Sequence, residues 1–395
     1  MEKVYLDYSA TTFVDDAVLE AMYPYFKQHF GNPSAVYASG REAKAVVENA
    51  RQTIANMLNT RFKNEIYFTA CGTESDNWAI KGAALANANK GKHIITTSTE
   101  HHAVMDTCAF LEKQGYEVTY LPVDEYGMVS PDDVQKAIRP DTILISVIFA
   151  NNEVGTINPI PEIAKVAHEH GVLFHTDAVQ AAGHIPIDVM NMDIDMLSLS
   201  AHKFYGPKGI GVLYIKNGCK VEKFMHGGAQ ERKRRAGTEN VPEIVGMAKA
   251  LELSCKNMQK EIKRLSELRD YMIDELKAKV PHIHLNGHPT RRLPGHVNVS
   301  LEYIEAEASL LSLDLAGIEC SSGSACASGS LEASHVLLAM GIPTEIAKGA
   351  LRFTMGKTTT KEQIDYTVAE IVKLSERLRK ISPLFIQKEG EKKYV

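Results

Sequence analysis

The chain has 395 residues, 44% hydrophobic and 24% charged, with a formal net charge of -5. That length predicts two or three domains of about 150 residues each, with ample material for a large core. The acidic balance gives no electrostatic reason for nucleic acid or an anionic membrane to be a main partner.

In chain order, the opening MEKVYLDYSATT lacks a basic stretch followed by an apolar one, so no secretory signal is expected. Short runs rich in β-branched and aromatic residues then recur between 65 and 216: EIYFTA, HIITTS, EVTYLP, TILISVIFA, LFHTDA, MLSLSA and GVLYIK. The longest of them is far too short to cross a bilayer as a helix. Helical patterns at Thr73–Ala86, His102–Gln114 and Pro161–His170 separate several of these runs. Strand alternating with helix predicts an α/β fold, with a mostly parallel sheet covered on both faces. Ligands bind such sheets outside the carboxyl ends of the strands, so the residues after each run are the candidates for chemistry.

After EIYFTA, Gly72 and Thr73 open a helical pattern, where backbone N–H groups and a hydroxyl suit a phosphate. The plainer account is a capping box of Thr73 with Asp76. After HIITTS comes the pair His101–His102, of which His101 is nearer the strand end and suited to stacking or proton transfer. After TILISVIFA comes Asn152, able to donate to a carboxylate or phenolic oxygen. After LFHT come Asp177, a helix cap or a partner for a heterocyclic nitrogen, and Gln180. After MLSLS come Ser200, His202 and Lys203. A lysine beside glycine and proline is usually solvated. At the edge that also carries an anion seat and Asp177, it is instead a candidate to form an imine with an aldehyde.

A long amphipathic pattern near 256–280 begins a second region, read as a smaller α+β domain over 256–395 that follows an N-terminal segment 1–15 and a large domain 16–255. Within it SSGSACASGS, at 321–330, places Cys326 among small residues, unlike a packed structural cysteine. The six cysteines form no CxxC pair, which argues against a disulfide framework and for a reducing, cytoplasmic setting. No metal site is expected. The His101–His102 pair lacks metal-helix spacing, and Cys320, Cys326 and His335 fit no common zinc pattern.

An imine-forming lysine, a phosphate seat and an acid for a pyridine nitrogen together are what pyridoxal 5'-phosphate requires. The chain resembles the NifS-type cysteine desulfurases, class V aminotransferases of the fold-type I pyridoxal phosphate group. The resemblance is carried by YLDYSATT, FGNPSAVYASGR, TESDN, TEHHAV, NNEVGT, HTDAVQAAG, SAHKFYGPKG, RAGTEN, SSGSACASG and LRFTMG, which together span nearly the whole chain. It implies a mostly parallel seven-stranded sheet with a smaller C-terminal domain. It also implies Lys203 as the imine lysine, Asp177 against the pyridine nitrogen, Gln180 on the phenolic oxygen, and His101 stacked on the ring. Gly72, Thr73, Ser200 and His202 would hold the phosphate, with Thr238 supplied by the second subunit of a homodimer. Arg352 would clamp the substrate carboxylate as a bidentate fork with help from Asn152. Ala35 and Tyr37 depart from the usual serine and histidine of their stretch.

The activity so implied is removal of sulfur from L-cysteine, giving L-alanine and a persulfide on Cys326. A sulfur-acceptor protein would then carry it to iron–sulfur assembly or tRNA thiolation. A selenocysteine lyase or another aminotransferase-like enzyme would use the same lysine, aspartate and arginine. The basic run ERKRRAGT (231–238) is read as a solvated face rather than a nucleic-acid site.

Overall fold

A computed structural model describes residues 3–323, 333–383, 385 and 386; Cys326 lies outside the described residues. Seven strands form the main sheet: β2 (Ile66–Thr69), β3 (His93–Thr97), β4 (Glu117–Leu121), β5 (Thr142–Ser146), β6 (Leu173–Asp177), β7 (Met196–Ser200) and β8 (Gly211–Ile215). These are the seven runs read from the sequence. β1 (Val4–Tyr5) precedes them and lies elsewhere. The order across the sheet is β2-β8-β7-β6-β5-β3-β4, and only β8 runs antiparallel to its neighbours.

Period-two alternation sorts the side chains to two faces. Ile95, Ile145, Leu197 and Val212 join one apolar cluster, with the helices Ala38–Met57 and Ile160–Glu169. Ile94, Leu144, Met196 and Leu213 join the other, with Trp78 and the helices Gly72–Ala86 and His102–Glu112. Both faces are therefore covered, as a parallel sheet requires.

A second body is built on the antiparallel strands β9 (Ile283–Asn286), β10 (His296–Leu301) and β12 (Ala350–Thr354), in the order β12-β10-β9. A helix over Val241–Lys279 spans both bodies, with Leu251 in the core of the first and Leu265, Met272 and Leu276 in that of the second. The helix is continuous through residue 256. β1 pairs in parallel with β11 (Ile318–Glu319), which stitches the N-terminus to the C-terminal body.

On the far side of the sheet, His168 ends its helix between two carboxylates. Its Nδ1 lies 2.7 Å from Asp193 and its Nε2 2.8 Å from Asp195. Both ring nitrogens must carry protons to satisfy these oxygens. The hydrogen bond to Asp195 leads in raising the His168 pKa above its ordinary value, with Asp193 adding to it. A raised folded-state pKa means the stabilisation is fully present below the unfolded value of about 6.5 and is lost as pH rises through the folded one. The melting temperature of His168→Gln should therefore fall further below the parent's at pH 6 than at pH 9 in calorimetry. Equal differences at both pH values would remove this ion-pair account.

Candidate active site

A cavity of about 220 Å³ opens at the carboxyl edge of the main sheet. Its first wall is the turn from β2 into the helix Gly72–Ala86, whose first-turn N–H groups lack intrahelical acceptors and face an anion favourably. Cys71 caps that helix in extended backbone with no side-chain bond, so the capping box expected of Thr73 and Asp76 does not form. Thr73 is instead exposed on the cavity wall and Asp76 is buried beneath it. A Cβ at Gly72 would come 2.7 Å from Val179 Cγ2, so only glycine fits where this turn packs on the next. Ser200 and His202 complete the same wall. Burial lowers the His202 pKa to about 4, which keeps it neutral near pH 7.

The floor is rich in carboxyls. Asp177 ends β6, accepts from the Val179 N–H at 2.9 Å and is buried. Burial raises its pKa, while His101 and Lys203 pull it back. Glu100, held by Thr97 Oγ1 at 2.7 Å and the Ile148 N–H at 2.8 Å, is pushed up to about 8 by burial. Asp76 is raised well above its ordinary value by burial and then by Asp177, and its Oδ1 has no hydrogen-bond partner. His175 beneath them bonds Ser146 Oγ and Ser198 Oγ, and burial takes it down to about 3. A floor of this kind welcomes a cation, which would bring the Asp177 pKa back down.

His101 caps the helix His102–Glu112, with Nδ1 accepting from the Ala103 N–H at 3.1 Å. This bond leaves Nε2 to carry the proton of the neutral ring. Burial lowers the His101 pKa, and protonating Nδ1 would also break the cap.

Lys203 follows β7 in a short 3-10 turn, Ala201–Lys203. Its Nζ donates to the carbonyls of Ser9 at 2.6 Å and Ala10 at 2.8 Å, and Gln180 Nε2 donates to the same Ser9 carbonyl at 3.0 Å. Ser9 and Ala10 escaped the sequence reading, because nothing in YSATT by itself shows where the segment crosses the cavity. Arg352 on β12 is buried, its Nη2 on Asp7 at 2.8 Å and its Nη1 on the Asn152 carbonyl at 3.1 Å. Both terminal nitrogens thus have protein partners, and the buried Nε has none. Each terminal nitrogen carries two N–H groups, so one on each and the Nε–H are left to donate.

Lys203, Asp177, Gln180, His101, Gly72, Thr73, Ser200, His202, Asn152 and Arg352 all line the one cavity. Thr238 does not; it is exposed on the surface of its own chain. Burial pushes the thiols of Cys108, Cys219 and Cys320 up to about 12, so they are protonated and poor nucleophiles.

The class V aminotransferase family profile matches residues 4–367. Cysteine desulfurase IscS of Methanosarcina thermophila is 58% identical over 96% of this chain and 94% of its own. A solved NifS-like protein has 38% identity and a TM-score of 0.89 over 95% of this chain and 99% of its own. A structure titled SspA in complex with cysteine has 37% identity and a TM-score of 0.80, covering 90% of this chain and 99% of the other. A sheet edge that gathers a lysine, a buried aspartate and an anion seat, on a chain matched over nearly all its length, belongs to the class V aminotransferase family, in its cysteine desulfurase branch.

Proposed function

We propose that the protein is a pyridoxal phosphate-dependent cysteine desulfurase that converts L-cysteine to L-alanine and leaves the sulfur on Cys326. The observation that carries this reading is the meeting of Lys203, buried Asp177 and the Gly72 seat at one sheet edge. The donor set fits the cofactor: an amine at Lys203, backbone N–H groups with Thr73, Ser200 and His202 for a phosphate, and an acid whose raised pKa calls for a cationic neighbour. When bound, pyridoxal phosphate supplies an aldehyde for an amine and a pyridine ring that withdraws electrons.

Lys203 is the amine for that aldehyde. With the cofactor bound, Asp177 would hold a proton on the ring nitrogen, Gln180 would serve the phenolic oxygen, and neutral His101, with its proton on Nε2, would stack on the ring. Arg352 and the Asn152 side chain orient the substrate carboxylate, with Asp7 and the Asn152 carbonyl fixing the guanidinium. The Cys326 thiolate then takes the substrate's sulfur. A C–S bond breaks, an S–S bond forms, and the electron pair and proton end on the methyl group of alanine. L-cysteine plus one thiol thus becomes L-alanine plus one persulfide, with no external oxidant. A cytoplasmic acceptor protein, in iron–sulfur assembly or tRNA thiolation, would consume the persulfide. A homodimer, with Thr238 reaching the partner's phosphate seat, accords with the exposed Tyr23, Phe26, Phe30, Val36 and Tyr37, since monomers seldom expose so much apolar surface in one stretch.

Borohydride reduction of the holoenzyme should leave a pyridoxyl group on Lys203, found by peptide mass spectrometry; a label on any other lysine would move the amine assignment. L-cysteine with a thiol reductant should yield alanine from the parent and at least about a hundredfold less from Cys326→Ala, the scale of losing a nucleophile. Equal yields would leave the cofactor reading and remove the persulfide step. Sedimentation of the holoenzyme should give twice the 43.6 kDa chain mass, and a single-chain mass would remove the shared site.

A further inference from the structure

The run ERKRRAGT, residues 231–238, is only in part a solvated face. Glu231 is buried, and its carboxylate accepts from Arg51 Nη1 at 2.8 Å and Nη2 at 2.9 Å, and from the Phe68 N–H on β2 at 3.2 Å. This pair fixes a stretch in which Glu231, Arg232 and Lys233 lie in the left-handed region, at φ of 43°, 56° and 66°. L side chains adopt that region only at a cost. Four residues on from Glu231, Arg235 forks onto Glu74, Nε to Oε1 at 2.8 Å and Nη2 to Oε2 at 3.1 Å. The same Oε2 accepts from the Ala70 N–H at 2.7 Å, in the turn that leads from β2 to Gly72 and Thr73. Beyond Arg235 the backbone passes through Gly237 at φ 115°, where a Cβ would come 3.3 Å from Arg235 Nη1. One guanidinium thus bonds the carboxylate that holds the seat turn and lies against the residue before Thr238.

We propose that Arg235 is a positioning residue for the cofactor seat of the partner subunit, its fork onto Glu74 fixing the arm that carries Thr238. The proposal rests on the reading of Thr238 as a phosphate ligand in the partner's site. A loosely held arm binds more weakly, because binding must first order it. The neighbouring bonds hold the arm to its own loop: Ala236 N–H to the Met225 carbonyl at 3.2 Å, and Gly237 N–H to Gln230 Oε1 at 3.2 Å. Glu231 holds that loop in turn to Arg51 and β2. Among the described residues, the fork is the tie that carries this hold to the seat turn. A bidentate arginine–carboxylate pair sets orientation as well as distance. The Glu74 and Arg235 side chains are 10% and 18% exposed, so water competes little for them. Through one carboxylate each chain would then serve two seats, its own with Gly72 and Thr73 and its partner's with Thr238.

Mixed dimers of the full chain separate this role from a general defect. One protomer carries Lys203→Ala, so the visible band of lysine-bound cofactor arises only in the other, reporting protomer. Arg235→Gln is then placed in the Lys203→Ala protomer, where its arm would serve the reporting site, or in the reporting protomer, where its arm would serve the silent one. Pyridoxal phosphate is titrated into each, with the Lys203→Ala mixed dimer as reference. Expected is a dissociation constant raised about tenfold in the first arrangement, the scale of one hydrogen bond to a charged group, and close to the reference in the second. Both arrangements contain the same substitution, so a folding defect would weaken both. Equal constants in the two, or a loss confined to the second, would overturn the proposal. Thr238→Ala in the first arrangement tests the reading beneath it. A loss from Thr238→Ala with none from Arg235→Gln would sink the proposal and leave the shared seat standing. No loss from either would remove the shared seat together with the proposal.

Discussion

Strands β5, β7 and β8 are buried along their whole length between two layers of helix, and their backbone groups are consumed by the ladder. Neither face of such a sheet can accept a charged side chain without removing its hydration, at a cost on the order of several kcal/mol per ion. Polar chemistry is therefore confined to the strand ends. There the chain leaves the ladder, and the N–H groups of a following helix turn outward. Asp177, Ser200 and Lys203, and the Gly72 turn, each stand just where a strand stops.

Once charges collect at that edge, their mutual electrostatics decide what the cavity can hold. Burial is the first reason that Asp76, Glu100 and Asp177 have raised pKa values, and Asp177 adds to it at Asp76 and Glu100. A cation beside Asp177 would favour its ionised form. Neutral His175, bonded by two serine hydroxyls, supplies packing and dipoles beneath them without adding a fourth charge.

The second organising feature is the crossing of the N-terminal segment over the cavity. Ser9 and Ala10 offer carbonyls to Lys203 and Gln180, and two residues earlier Asp7 pairs with Arg352 on β12. One short segment thus ties the lysine of the large body to the arginine of the small one. Arg352 is fully buried, so removing its partner would strand a charge rather than merely lose a contact. This accounts for the pairing of β1 with β11, which brings the N-terminus to the C-terminal body and holds Asp7 in register beside β12.

The seven strands, their alternation with helices and the residues at their ends were legible in the sequence, because short β-branched runs and period-two burial are local properties. Gly72, Asp177 and Lys203 could be picked out on the same ground, each adjoining a strand end. The continuous helix through residue 256 was not, since its apolar stripe turns from one core to the other along its length and only its second half reads cleanly. Nor was the failure of the Thr73–Asp76 capping box, for burial of Asp76 against Asp177 is a contact between residues a hundred positions apart. Asp7 and Ser9 acquire their roles only from partners distant in the chain, Arg352 and Lys203. The sequence by itself determined the elements and the edge at which chemistry must sit. Tertiary structure decided which carbonyls and carboxylates face each other there, because hydrogen bonding and desolvation depend on distances in space that no local pattern encodes.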